Sequence, residues 1–151
     1  FMGCSSLKEI TFPNSVKCIE NGTFSGCSEL KKFLIPDDVN AIHSNAFTGC
    51  TSLQDLTIPK SVTLIGNLAF SGCESIKEVS VPESVKSIGN YAFSECKSLE
   101  QVAILFSNVK FGIGIFKGSP INEISHPSPV KINLSKPMLG VKSTVIVKKI
   151  D

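Results

Sequence analysis

The stretch CSELKKFLIP at residues 27–36 decides the architecture of this chain, because close variants of it stand at fixed intervals on both sides. The variants are CSSLKEITFP at residues 4–13, CTSLQDLTIP at 50–59 and CESIKEVSVP at 73–82, so the period is 23 residues. A constant period of this length indicates supersecondary units that stack on one another, because a single unit cannot bury its own apolar side. The sequence therefore predicts a solenoid.

Outside this stretch, each unit continues to the full pattern L-x-x-I-x-I-P-x-x-V-x-x-I-x-x-x-A-F-x-G-C-x-x. We predict that the phenylalanines of this pattern stack as a ladder through the core, and that the cysteines pack beside them as small buried hydrophobes. The phenylalanines are Phe24, Phe47, Phe70, Phe93 and Phe116, and the cysteines are Cys4, Cys27, Cys50, Cys73 and Cys96.

The pattern weakens toward the end of the chain, where Leu105 replaces the repeated proline and Ser119 replaces the cysteine. Such drift is typical of a terminal repeat, because its outer face meets water or a cap instead of another repeat. We therefore predict a solenoid over residues 1–141, with a partial first unit and a degenerate last unit. A C-terminal capping strand is predicted over residues 142–151.

Within a unit, the segment LKEITFP at residues 7–13 alternates like a half-buried strand, with Ile10 and Phe12 on one face and Glu9 and Thr11 on the other. The proline has no amide hydrogen to donate, so it ends strand pairing at the same level in each coil. The segment NYAFSEC at residues 90–96 predicts a short helix or 3₁₀ turn before the next strand. Successive strands run in the same direction, so the sheet is predicted to be parallel.

The segments I-P-x-x-V-x-x-I and A-F-x-G-C, met repeatedly in one register, resemble the BspA-type leucine-rich repeat, also called the Treponema-type repeat. The resemblance is close over residues 1–118 and loose over residues 119–141. It implies a leucine-rich repeat solenoid, which is a right-handed superhelix of 23-residue units with short parallel β-strands, turns and short helical or 3₁₀ segments. It also implies a surface protein of a bacterium or mucosal protozoan, with a role in adhesion. No catalytic residues come with this family.

Composition excludes several classes of partner. The formal net charge is +2 and all fifteen positive residues are lysine, so no arginine can make a bidentate contact with phosphate or guanine. We therefore expect no nucleic-acid partner.

No run of apolar residues approaches the roughly 18 of a membrane-spanning helix, and the first residues lack the pattern of a signal peptide. We expect any membrane anchor or signal to lie outside this chain.

No cofactor, metal site or catalytic residue is predicted. Cysteines at equivalent positions of neighbouring coils have β-carbons about 5 Å apart, beyond the usual disulfide range of about 3.5–4.5 Å. No cysteine pair has the C-x-x-C spacing of a zinc knuckle, and Cys18, which lies off the ladder, is the one expected to be partly exposed. His43 lies at a turn position that is Gly66 and Gly89 in later repeats, and His126 lies at an inward strand position. Neither histidine has a predicted catalytic partner or cleft.

The outward rows of the predicted sheet form the candidate partner-binding face. One row is mostly acidic and the row beside it is mostly hydroxylated. Two interpretations are open: a shallow polar groove that contacts an extended partner across several coils, or a solvated face free of apolar patches. The rows contain no aromatic or arginine anchor of the kind that dominates interfaces. The candidate residues are Glu9, Thr11, Lys32, Leu34, Asp55, Thr57, Glu78, Ser80, Gln101 and Glu123.

The sequence thus favours a non-enzymatic binding module of a BspA-like surface protein that adheres to proteins of a host or of other cells. Its partner is expected to be a protein or another macromolecule, and the resemblance places the protein at the cell surface or outside the cell. The alternative is an intracellular scaffold for protein–protein interactions, built on the same solenoid. An enzyme would need a polar cleft with a nucleophile or a metal, which the sequence does not predict.

Overall fold

The computed structural model describes residues 1–105, 109–127, 140 and 146–150. It is a β-solenoid in which successive coils repeat at a spacing of about 23 residues, so the predicted fold class is confirmed. The coils carry two sheets, and every pairing between the described strands is parallel.

One sheet consists of two-residue strands, one from each of five successive coils. We call it the short-strand sheet. These strands come from the V-x-x-I part of the repeat, for which the sequence predicted no strand. In the order in which they pair, they are β1 (Cys18–Ile19), β2 (Ala41–Ile42), β3 (Leu64–Ile65), β5 (Ser87–Ile88) and β7 (Lys110–Phe111).

The other sheet, the long-strand sheet, follows the predicted L-x-x-I-x-I strands. In the order in which they pair, its strands are β4 (Glu78–Val81), β6 (Gln101–Ile104), β8 (Glu123–Pro127) and β9 (Ile146–Ile150). An isolated parallel bridge between Lys32 and Asp55 lies at the same position of two earlier coils.

The last strand pairs with β8 in the register of a further repeat, since Glu123 lies opposite Ile146 and Pro127 opposite Ile150. The predicted boundary between the solenoid and its capping strand, at residues 141 and 142, lies outside the described residues. The capping strand over 142–151 therefore stays a prediction, although residues 146–150 of it form a strand.

The expected helical segment after each strand is a series of turns instead, and no helix is present among the described residues. The physical reason is a pair of left-handed residues in each coil. Tyr91 and Glu95 have φ angles of 56° and 55°, which interrupt the repeated negative φ that a helix requires. Equivalent residues with positive φ are Gly22, Asn45, Leu68 and Gly114 at the first position, and Gly3, Gly26, Gly49, Gly72 and Gly118 at the second.

A ladder of phenylalanine rings runs through the core, as predicted. Phe24, Phe47, Phe70, Phe93 and Phe116 are fully buried. Neighbouring rings of this ladder are stacked, with centroid separations from 5.1 to 6.0 Å. Each coil therefore buries its aromatic ring against the coils on either side, so the apolar core is continuous along the solenoid.

Four of the five ladder cysteines are small buried residues and also hydrogen-bond donors, whereas Cys4, in the first coil, is exposed. Each of the four buried thiols donates to the backbone carbonyl of the phenylalanine 26 residues earlier, at sulfur–oxygen distances of 3.1–3.2 Å. Ser119, which replaces cysteine in the next coil, donates to the Phe93 carbonyl at 2.8 Å. The cysteine position thus links adjacent coils, and a hydroxyl can take the role of the thiol. The thiol pairs are Cys27 with Phe1, Cys50 with Phe24, Cys73 with Phe47, and Cys96 with Phe70.

Candidate binding face

The alternation of the long strands sends one set of side chains into the core and the other to the surface. In β4, Val79 and Val81 are buried, whereas Glu78 and Ser80 are exposed. The same pattern recurs in β6, where Gln101 is exposed. Because strand residues alternate between two faces, the exposed positions of successive coils lie on one surface. We call this surface the long-strand face.

The parallel register brings the predicted residues of the later coils into rows. Glu78 lies opposite Gln101 and Gln101 opposite Glu123, while Ser80 lies opposite Ala103. In the earlier coils, the bridge aligns Lys32 with Asp55. Of the candidate residues, Glu123 is half-buried, and the rest are exposed: Glu9, Thr11, Lys32, Leu34, Asp55, Thr57, Glu78, Ser80 and Gln101.

A groove of about 440 Å³ crosses this face over the third to sixth coils. Polar side chains of the predicted rows line it, and Leu56, Pro82 and Leu105 add apolar surface. The predicted residues among its lining are Thr57, Glu78, Ser80, Gln101 and Glu123. A second groove, of about 460 Å³, contains Asp55 and shares Glu78 with the first.

The remaining predicted residues lie outside both grooves. These are Glu9, Thr11, Lys32 and Leu34, which belong to the first two coils. Leu34 is 81% exposed, so it is an apolar side chain open to contact with a partner. Conversely, Lys60 and Leu105 line the groove although neither belongs to the predicted rows.

Two acidic side chains of the face, those of Asp55 and Glu78, carry charge that is not paired within the described residues. Neither Asp55 nor Glu78 makes a side-chain hydrogen bond or ion pair there. The ion pairs of the described part join Lys17 to Asp38 and Lys97 to Glu74, and none of these four residues lines either groove. The face therefore presents negative charge that a basic or polar partner can approach.

The cysteines offer little nucleophilic chemistry at the core. All six are free thiols, and those at positions 27, 50, 73 and 96 are buried. Burial raises the pKa of Cys50 and of Cys96 to about 12, and raises that of Cys73 well above its ordinary value. Since the thiolate is the reactive form, these thiols are inert at neutral pH.

The same pKa shifts predict that stability falls at alkaline pH. An unfolded thiol loses its proton near pH 9, whereas Cys50 keeps its proton until about pH 12 in the folded chain. Between these values the folded state binds more protons, so the free energy of unfolding decreases by up to about 1.4 kcal/mol per pH unit for each such thiol. Below pH 9 the thiol is protonated in both states, and its contribution is constant.

Urea unfolding of the Cys50→Ser variant from about pH 8 to about pH 11 tests whether the Cys50 thiol causes this loss of stability. Serine keeps the hydrogen bond, as Ser119 does, but does not titrate. We expect the variant to lose less stability than the parent as the pH rises. Cys4→Ser, at an exposed position, is the control and should follow the parent. Parallel pH curves for the parent and Cys50→Ser would contradict the proposed linkage.

The described part of the chain has no helix that is long and apolar enough to cross a membrane.

No curated protein matches the chain. Solved structures of leucine-rich repeat proteins share its fold. A leucine-rich repeat protein of T. pallidum is 30% identical, with a TM-score of 0.73, over 97% of this chain and 77% of that protein.

Two further structures show the fold alone. A leucine-rich repeat protein from Bacteroides ovatus is 20% identical, with a TM-score of 0.61, and the match covers 99% of this chain and 53% of that one. A leucine rich cell surface protein from Faecalibacterium prausnitzii is 22% identical, with a TM-score of 0.54, over 100% of this chain and 62% of that one. The chain thus spans about half of the B. ovatus structure.

A family model decides the assignment. The BspA type leucine rich repeat region matches residues 1–122 in six copies. This range includes the whole phenylalanine ladder and the strands β1 to β7. The chain belongs to the family of BspA-type leucine-rich repeat proteins.

Proposed function

We propose that this chain is a non-enzymatic binding module of a surface protein, and that it adheres to proteins on host cells or other cells. Leucine-rich repeats are generally a fold for binding proteins, and one structural neighbour is named as a cell surface protein. The observation that carries the proposal is the long-strand face, where exposed side chains of successive coils align around a groove of about 440 Å³.

The form of this face favours an extended partner. The rows repeat once per coil, so a partner that lies across the coils meets similar groups several times. Asp55 and Glu78 make the partner's complementary groups basic or polar. Each contact is weak because the side chains are exposed and the face has no aromatic anchor. Affinity therefore comes from the number of coils engaged.

An intracellular scaffold is the second candidate, and the cysteines favour it. All six are free thiols, which is the usual state in a reducing cytosol. The long-strand face would serve a scaffold equally well, so the two candidates differ in where the partner is found.

Attachment of cells to a surface coated with the chain tests the proposal. We expect cultured epithelial cells, bacterial cells or both to attach in greater number to the folded chain than to albumin or to the heat-unfolded chain. The folded structure is required because the rows exist only when the coils are in register. Attachment of neither cell type above the albumin level would contradict adhesion, and would leave the scaffold as the better proposal.

A further inference from the structure

A cluster of three potential metal ligands lies on the short-strand sheet, apart from the residues of the long-strand face. Cys18 belongs to β1, Glu20 comes two residues later, and His43 comes directly after β2 in the next coil. Side chains two residues apart on a strand point to the same side, so Cys18 and Glu20 are neighbours. The pairing of Ile19 with Ile42 then places His43 beside Glu20.

The three ligand atoms are close together. The Cys18 sulfur, a Glu20 carboxylate oxygen and a His43 ring nitrogen all lie within 4.8 Å of one another. The Cys18 thiol donates a hydrogen bond to Oε1 of Glu20 at 2.9 Å. Ligand atoms around a tetrahedral zinc ion are about 3.5 Å apart. The Cys18 sulfur and the Glu20 oxygen are already within this distance, so only the separations that involve His43 need to shorten, by about 1 Å at most. Glu20 is exposed, and Cys18 and His43 are half-buried, so side-chain rotation can supply this approach.

We propose that Cys18, Glu20 and His43 bind a zinc ion through a thiolate, a carboxylate and an imidazole. Zinc takes all three ligand types, whereas calcium and magnesium take oxygen ligands. The thiolate and the carboxylate offset the charge of the ion. The thiol proton, which is donated to Glu20 in the metal-free chain, is released to solvent when the sulfur binds the metal.

Three protein ligands leave a fourth coordination position open. His43 lines one end of a groove of about 360 Å³ that continues along later coils. In those coils, glycine occupies the position of His43, and these three glycines, Gly66, Gly89 and Gly112, line the groove. A water molecule or a partner side chain in the groove can therefore complete the coordination of the zinc ion.

The cluster is specific to the first two complete coils. At the positions of Cys18, later coils have Ala41, Leu64, Ser87 and Lys110, none of which is a thiol. Among residues 1–105 and 109–127, no other group of three cysteine, histidine or acidic side chains lies this close together. The repeat itself therefore does not account for these ligands.

Titration of the purified chain with Zn²⁺ against a chromophoric chelator, and with Co²⁺ followed by absorption spectroscopy, tests the site. We expect one zinc ion per chain, and a sulfur-to-cobalt charge-transfer band that shows thiolate coordination. Cys18→Ala should abolish the band, and His43→Ala should weaken zinc binding by more than about 100-fold, since even outer-shell partners account for 10- to 100-fold. Neither side chain belongs to the buried core, so these variants should keep the circular dichroism spectrum of the parent.

Cys4→Ala is the matched control, because Cys4 is an exposed free thiol outside the cluster. It should bind zinc as the parent does. The proposal is overturned if the parent binds no zinc in competition with the chelator. It is also overturned if Cys18→Ala retains the thiolate band, or if His43→Ala binds zinc as tightly as the parent.

Discussion

Replacement of Phe70 with alanine should lower the free energy of unfolding by about 3–5 kcal/mol, the usual cost of removing a buried phenylalanine ring. Phe70 is fully buried, and its ring stacks on Phe47 at 5.2 Å and on Phe93 at 5.1 Å. The substitution therefore leaves a cavity between two coils and removes both stacking contacts. Chemical unfolding followed by circular dichroism measures the loss.

The matched comparison is Phe116→Ala, which we expect to cost less. The Phe116 ring is 6.0 Å from that of Phe93, a wider separation than elsewhere along the buried ladder. It also adjoins the unit in which the sequence pattern weakens. Small and equal losses in the two variants would show that the rings are not the main stabilising contacts of the solenoid.

Replacement of Gly66 with alanine should cost about 3 kcal/mol, at the upper end of the usual cost of overpacking. An alanine Cβ would lie 2.5 Å from the backbone nitrogen of Ser44 and 2.6 Å from the carbonyl carbon of His43. Both are backbone atoms of the preceding coil, so the clash is relieved only if two coils move apart. The same unfolding experiment measures the loss.

His43→Ala is the control for this prediction, because His43 occupies the equivalent position one coil earlier and already has a Cβ. We expect it to change the stability by less than about 1 kcal/mol, as is usual for a surface substitution. If Gly66→Ala is no more costly than His43→Ala, close contact between coils is not the reason for glycine at this position.

The parts of the fold that repeat could be predicted from the sequence. The phenylalanine ladder and the alternation of Val79 and Val81 with Glu78 and Ser80 follow from residue type at a fixed period. The short-strand sheet could not be predicted, since strands of two residues are too short to show an alternation. The spacing of Ala, Phe and Cys is typical of a helical turn, so these segments were predicted as a short helix or 3₁₀ turn. The spacing carries no information about the positive φ of Tyr91, which a helix does not tolerate.

The candidate sites depend on register as well as on pattern. The residues of the long-strand face could be listed from the repeat alone. The grooves depend on backbone positions, so the contribution of Lys60 to the groove lining could not be predicted. The cluster of Cys18, Glu20 and His43 was not predicted from the sequence, because His43 is distant from the other two residues along the chain. The signal was present, since Glu20 and His43 are one repeat apart and so lie side by side in a solenoid.

The most direct test of the central claim is the attachment of cells to the Asp55→Lys/Glu78→Lys double variant, because both exposed carboxylates lie on the long-strand face. The matched control is Glu83→Lys/Glu95→Lys, which changes the net charge equally at exposed residues that line neither groove. If this face binds a basic or polar partner, attachment to the first variant should fall at least about fivefold and depend less on salt, while the control stays near the parent. Equal attachment to the parent and to the Asp55/Glu78 variant would contradict the claim that the long-strand face binds the partner.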